Sequence, residues 1–184
     1  MKIRTEPLLG GAAFSFVILI IVSVISTFAV MGSMQQLMEI LLTGAVDPNA
    51  AFGSPLLLLV GCLACIAPLI AGIGAGVIYA RQYGKYEPVT GSLVSGGAAS
   101  AALGFFLASV TSGIISSLVM MPVMNDMMAL AAQTSGSLVT TGSGLIGNIF
   151  GSICGGIVSA VIGAILGAIG AAVGKPKATK PAAP

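Results

Sequence analysis

The sequence predicts an all-α integral membrane protein of four transmembrane helices with both termini cytoplasmic, and three observations carry that reading. Hydrophobic residues make up 57 % of the 184 positions and charged residues only 7 %, with a mean hydropathy of +1.10. Four apolar windows are long enough to span, since about 20 residues of helix cross the hydrocarbon core. All the basic residues (Lys2, Arg4, Arg81, Lys85, Lys175, Lys177 and Lys180) then fall on one side, whereas Glu39, Asp47 and Asp126 lie on the other. That Lys/Arg asymmetry sets the orientation. The windows are continuously apolar rather than alternating, which excludes a membrane β-barrel.

The first span covers about residues 8–31. Lys2 and Arg4 precede it in the manner of a signal peptide, but the apolar run exceeds a typical signal core, so an uncleaved span is expected. An outer segment follows at about 32–44, in which Met34, Leu37, Met38 and Leu41 recur at helical spacing. It reads as an amphipathic helix lying at the interface. The second span, about 56–80, carries Pro68 in its middle. Proline removes a backbone hydrogen bond there and offers a kink or hinge. The same span holds a CxxC pair, Cys62 and Cys65, and Cys154 sits on the fourth; apolar filling is the expected role of all three.

The third span, about 93–121, leads into a second Met-bearing segment at about 122–134, with Met124, Met127 and Met128 after Pro122. Pro122 is expected to start another interfacial helix. Together with Met34 and Met38, these methionines form an adaptable apolar surface that suits an outer partner. The fourth span covers about 145–173, and a Lys- and Pro-rich tail, 175–184, should stay unfolded beside the cytoplasmic headgroups.

The chain resembles itself. "RTEP" at Arg4 to Pro7 precedes the first span and "KYEP" at Lys85 to Pro88 the third, and each is soon followed by "GGAA". Glu-Pro suits a helix start, where proline costs nothing and an acid complements the dipole. Two tandem copies of a span, interfacial helix, span unit are expected, at 1–84 and 85–174. Two spans per copy make the repeat parallel rather than inverted.

Small residues recur every fourth position. The fourth span has Gly147, Gly151, Gly155, Ser159, Gly163 and Gly167; the third has Gly96, Ser100, Gly104, Ala108, Ser112 and Ser116. The second has Pro68, Gly72 and Gly76, and the first has Gly11, Ser15, Ser23 and Thr27, interrupted by Leu19. Such stripes let backbones approach closely, which matters because no hydrophobic effect acts between helices already in lipid. A four-residue step drifts by about 40° around a helix. The fourth span's stripe therefore occupies two faces, which calls for protein on more than one side. Packing within the bundle, assembly with other chains and the lining of a path all remain open as uses.

The chemistry of the spans is sparse. Histidine is absent, and no Asp, Glu, Lys or Arg sits at the centre of a span. Haem ligation and proton-coupled transport need such groups. No cofactor, no metal and no nucleic acid is expected, the last because a folded basic surface is lacking. The function expected is that of a non-catalytic structural or accessory subunit of a cell membrane, a prokaryotic plasma membrane. Its partners would be the lipid bilayer, other membrane subunits or copies of itself. The alternative is a passive pore or small-solute transporter with a path between the repeats near Pro68, Gly72 and Gly163, lined by serines such as Ser100, Ser112, Ser116 and Ser159.

Overall fold

The computed structural model of the chain describes residues 5–43, 55–83, 90–135 and 142–174, and side chains over 5–34, 59–83, 93–123, 125 and 150–174. Four helices account for almost all of it: α1 (Thr5–Thr43), α2 (Pro55–Tyr83), α3 (Thr90–Ser135) and α4 (Gly142–Val173). Strands are absent among the described residues. Each helix contains a segment long and apolar enough to cross a membrane: Thr5–Met34, Leu59–Tyr83, Leu93–Val123 and Phe150–Val173. The starts suit their residues, with Glu6 in the first turn of α1 and Pro55 as the first residue of α2.

The helices form a bundle of rhombic section. α2 and α3 touch each other across the short diagonal, and each also touches both α1 and α4. Among the described residues α1 and α4 do not meet. The end where α1 begins and α4 finishes is called the near end below, and the opposite one the far end.

Burial runs by size rather than by polarity. The inside is made of small residues, among them Ala12, Ala71, Ala75, Ala101 and Ala171. Large apolar side chains point outward: Phe28 is 62 % exposed, Leu118 65 % and Phe150 64 %. In water this would be costly at roughly 25 cal/mol per Å². In lipid it costs nothing, and small residues bring the backbones into dispersion contact. The near end is the exception, because Tyr79, Tyr83 and Leu93 pack there with Ala80 and Ala171, against Leu8. The Tyr79 and Tyr83 rings stack with centroids 5.6 Å apart and planes 19° from parallel.

Two expectations change. The Met-bearing segments are not separate interfacial helices: residues 32–43 prolong α1, and 122–135 prolong α3 with Pro122 inside it. A proline interior to a helix leaves one carbonyl four residues back without its N–H, a loss these helices accommodate without ending. α1 has 39 residues, about 58 Å of helix, and α3 has 46, about 69 Å, against about 30 Å of hydrocarbon. Nor are the cysteines buried filler. Cys62, Cys65 and Cys154 are all free thiols on the exposed surface.

Candidate functional site

The stripes of the first and third spans meet. Ser23 and Ser112 share a hydrogen bond, and Thr27 and Ser116 share another at 3.2 Å, each pair 89 residues apart in sequence. Thr27 donates its proton to the Ser23 carbonyl at 2.9 Å, so Ser116 is the donor to Thr27. Toward the near end the same separation continues: a β-carbon on Gly11 would strike Ser100, and one on Gly104 would strike Ser15. Ser100 donates across the seam to the Leu8 carbonyl at 3.0 Å. Ser15 turns back to the Gly11 and Ala12 carbonyls at 3.2 and 3.1 Å. α1 and α3 are thus parallel helices matched every fourth residue. Two stripes of that period stay matched only if the helices wrap in the right-handed sense.

A second junction joins α2, α3 and α4 near the Tyr79 cluster. A β-carbon on Gly97 would lie 2.6 Å from the Ala171 β-carbon, 2.9 Å from the Gly167 carbonyl oxygen and 3.4 Å from the Gly76 α-carbon. Gly76 and Gly167 are barred likewise by the Gly167 and Gly97 carbonyls, and Gly170 by the Ile73 carbonyl. Here three backbones touch, and only glycine fits. Gly72 faces Leu166 and Gly163 faces Phe105, at 2.5 and 2.7 Å from the added carbon. Gly96 abuts the ring of Tyr79.

The far half of the bundle is looser. Gly113 still meets Ser152, and Gly156 meets Phe106, so α3 and α4 stay together. Gly61 on α2 and Gly151 and Gly155 on α4, however, have no atom of the described residues within 4 Å of a β-carbon position. Residues 61 to 66 of α2 are all exposed. The expectation that α4 is enclosed on more than one side therefore fails at its far half. Its stripe drifts off the neighbours, and the glycines from 163 onward use them all.

A partly open cavity of about 250 Å³ lies between these regimes, lined by Leu19, Ser23, Pro68, Phe105, Ala108, Ser109, Ser112, Ser159 and Ile162. All four helices contribute. Leu19 and Ala108 occupy matched positions on the α1 and α3 stripes, so the cavity falls where Leu19 interrupts the small-residue register. Pro68 supplies no N–H, which leaves the Ala64 carbonyl without its helical donor. Ser23 and Ser112 satisfy each other. Ser109 and Ser159 make no hydrogen bond with the described residues. Among the described residues no ionisable side chain lines the space. Among the described residues no group of His, Cys, Asp or Glu is placed to hold a metal.

The structure thus brings Pro68, Ser112 and Ser159 together at the cavity and Ser100, Gly104 and Ser116 along the α1–α3 seam. Gly72, Gly76, Gly163 and Gly167 fall in the α2–α3–α4 packing, while Gly151 and Gly155 stand apart. Met34 is exposed. The side chains of Met38, Met124, Met127, Met128 and Gly147's surroundings lie outside the described residues. Sequence reasoning missed Ser109, Phe105 and Gly97. Ser109 and Gly97 each sit one residue off the four-residue stripe, and Phe105 carries no mark that separates it from a lipid-facing aromatic. No protein family, curated protein or solved structure matches the chain.

Proposed function

We propose that the protein is a non-catalytic, multi-pass subunit of a prokaryotic plasma membrane that assembles with copies of itself or with other membrane subunits. In this reading the near end is cytoplasmic, as the Lys/Arg distribution indicates, and residues 1–84 and 85–174 descend from one duplicated two-helix unit. The matched stripes of α1 and α3 favour the duplication. The α2–α3 contact, which has no α1–α4 counterpart, shows that the halves are not packed symmetrically.

One observation carries the assembly reading. Gly151, Cys154, Gly155 and Val158 lie along one exposed face of α4, spaced as one helix stripe. Among the described residues nothing lies against the two glycines. Glycine lowers helix stability by up to about 1 kcal/mol relative to alanine, and lipid gains nothing from it, whereas a second helix gains close approach. Cys154 provides the test. In a Cys62→Ala, Cys65→Ala background, oxidation in native membranes should link two chains through Cys154, since a disulfide needs α-carbons within about 7 Å. Gly151→Leu should abolish the link. A chain that stays unlinked and monomeric and retains no membrane partner on gentle purification overturns the reading.

The cavity favours a second reading, passive passage of a small solute. Against it, Gly72 and Gly163 are filled by Leu166 and Phe105, and the near end is closed by the Tyr79 cluster.

A further inference from the structure

We infer that the cavity is a binding site for a small uncharged molecule with an apolar body and a hydrogen-bonding oxygen, admitted between the far halves of α2 and α4 and held rather than passed through. The inference stands apart from the assembly reading, since it concerns the interior of one chain.

The chemistry of the lining selects the ligand. None of the described side chains there is ionisable, so an ion would leave water with no countercharge from them, which costs several kcal/mol or more. Leu19, Phe105, Ala108 and Ile162 give the walls an apolar character. A hydrocarbon would suit them but would gain nothing from the Ser109 and Ser159 hydroxyls, which make no hydrogen bond with the described residues, whereas a ligand oxygen adds a hydrogen bond worth about 0.5–1.5 kcal/mol. A neutral molecule with one or two hydroxyl or carbonyl oxygens satisfies both requirements. The volume of about 250 Å³ exceeds the roughly 150 Å³ of an apolar cavity that takes up benzene, which points to a single substituted ring or a body of that size.

Access follows from the uneven packing. Toward the near end Gly76, Gly97 and Gly167 bring three backbones into contact, and Tyr79, Tyr83 and Leu93 fill the space beyond. Toward the far end residues 61–66 of α2 and 153–155 of α4 are exposed, and Gly61 and Gly155 have no neighbour at the β-carbon position among the described residues. The ligand therefore enters from the bilayer or the far surface and meets a floor.

The test uses the full chain in lipid nanodiscs with two probes, para-fluorophenol and fluorobenzene, followed by fluorine NMR against empty nanodiscs of the same lipid. Para-fluorophenol should bind above the blank and more tightly than fluorobenzene. Ser109→Ala and Ser159→Ala should each weaken para-fluorophenol by about two- to tenfold, the worth of one neutral hydrogen bond, and leave fluorobenzene unchanged. Ile162→Trp, which fills the space, should remove both signals. Binding no greater than in empty nanodiscs overturns the proposal. So does equal affinity for the two probes, indifference to both serine replacements, or a signal that survives Ile162→Trp. The serine variants are close to isosteric and decide the matter alone if the tryptophan variant does not fold.

Discussion

Tyr79 shows how far a single side chain can depart from the rule that buried polar groups are paired. It is fully buried, its ring rests against Gly96 and stacks on Tyr83, and its hydroxyl has no hydrogen-bond partner among the described residues. The ring is well used and the oxygen is not. Removing an unsatisfied buried hydroxyl while keeping the shape is neutral to stabilising, up to about 1–3 kcal/mol. Tyr79→Phe should therefore match or raise the thermal unfolding midpoint in detergent, and a clear fall would show that the hydroxyl has a partner. Little of this is legible in the sequence, because Tyr79, Tyr83 and Tyr86 stand beside Arg81 and Lys85, the place where interfacial anchors occur. An anchor and a buried plug both sit one turn from the basic residues. Only the glycine facing Tyr79, from a helix distant in sequence, separates them.

At the scale of the helix, α4 is two surfaces joined end to end. Its near half is locked, with Gly167 against Gly97 and Ala101, and Gly170 against Ile73. Its far half keeps α3 but offers Gly151 and Gly155 to the outside. The drift of about 40° per four residues makes that division readable in the sequence, and Gly151→Leu and Gly167→Leu should accordingly differ. At Gly167 a leucine must displace backbone, and overpacking costs about 1–3 kcal/mol or more, so folded yield should fall. At Gly151 it meets nothing among the described residues, so monomer stability should hold while cross-linking through Cys154 is lost. Equal losses of folded yield would mean that the two halves are not distinct. Which helices pair was less legible. The stripes on the first and third spans have the same period, yet period alone does not choose between α1–α3 and any other pairing. The shared separation that selects it is visible only once the helices are set side by side.

Across the molecule, the span count came from hydropathy alone, and the expected limits differ from the observed spans by only a few residues at most ends. The cavity did not. Its walls come from four helices, and the three residues common to the expected path and the observed lining, Pro68, Ser112 and Ser159, say nothing in the sequence of what lies opposite each. The bundle is closed below that level by backbone contact and opens above it. For passage this is the wrong shape, and glycerol should enter proteoliposomes at the rate of protein-free vesicles in an osmotic swelling assay. A rate several-fold higher would restore the passage reading and show that the near end opens.

The three-way glycine junction also has a consequence for descent. Gly76, Gly97, Gly167 and Gly170 are each barred from carrying a β-carbon by atoms of this same chain, so the fold by itself restricts inheritance there to glycine. At Gly61, Gly151 and Gly155 it imposes no such restriction. In any lineage that shares this fold, the first group must persist for the bundle to close. Persistence of the second group would record a selective pressure that originates in some other molecule.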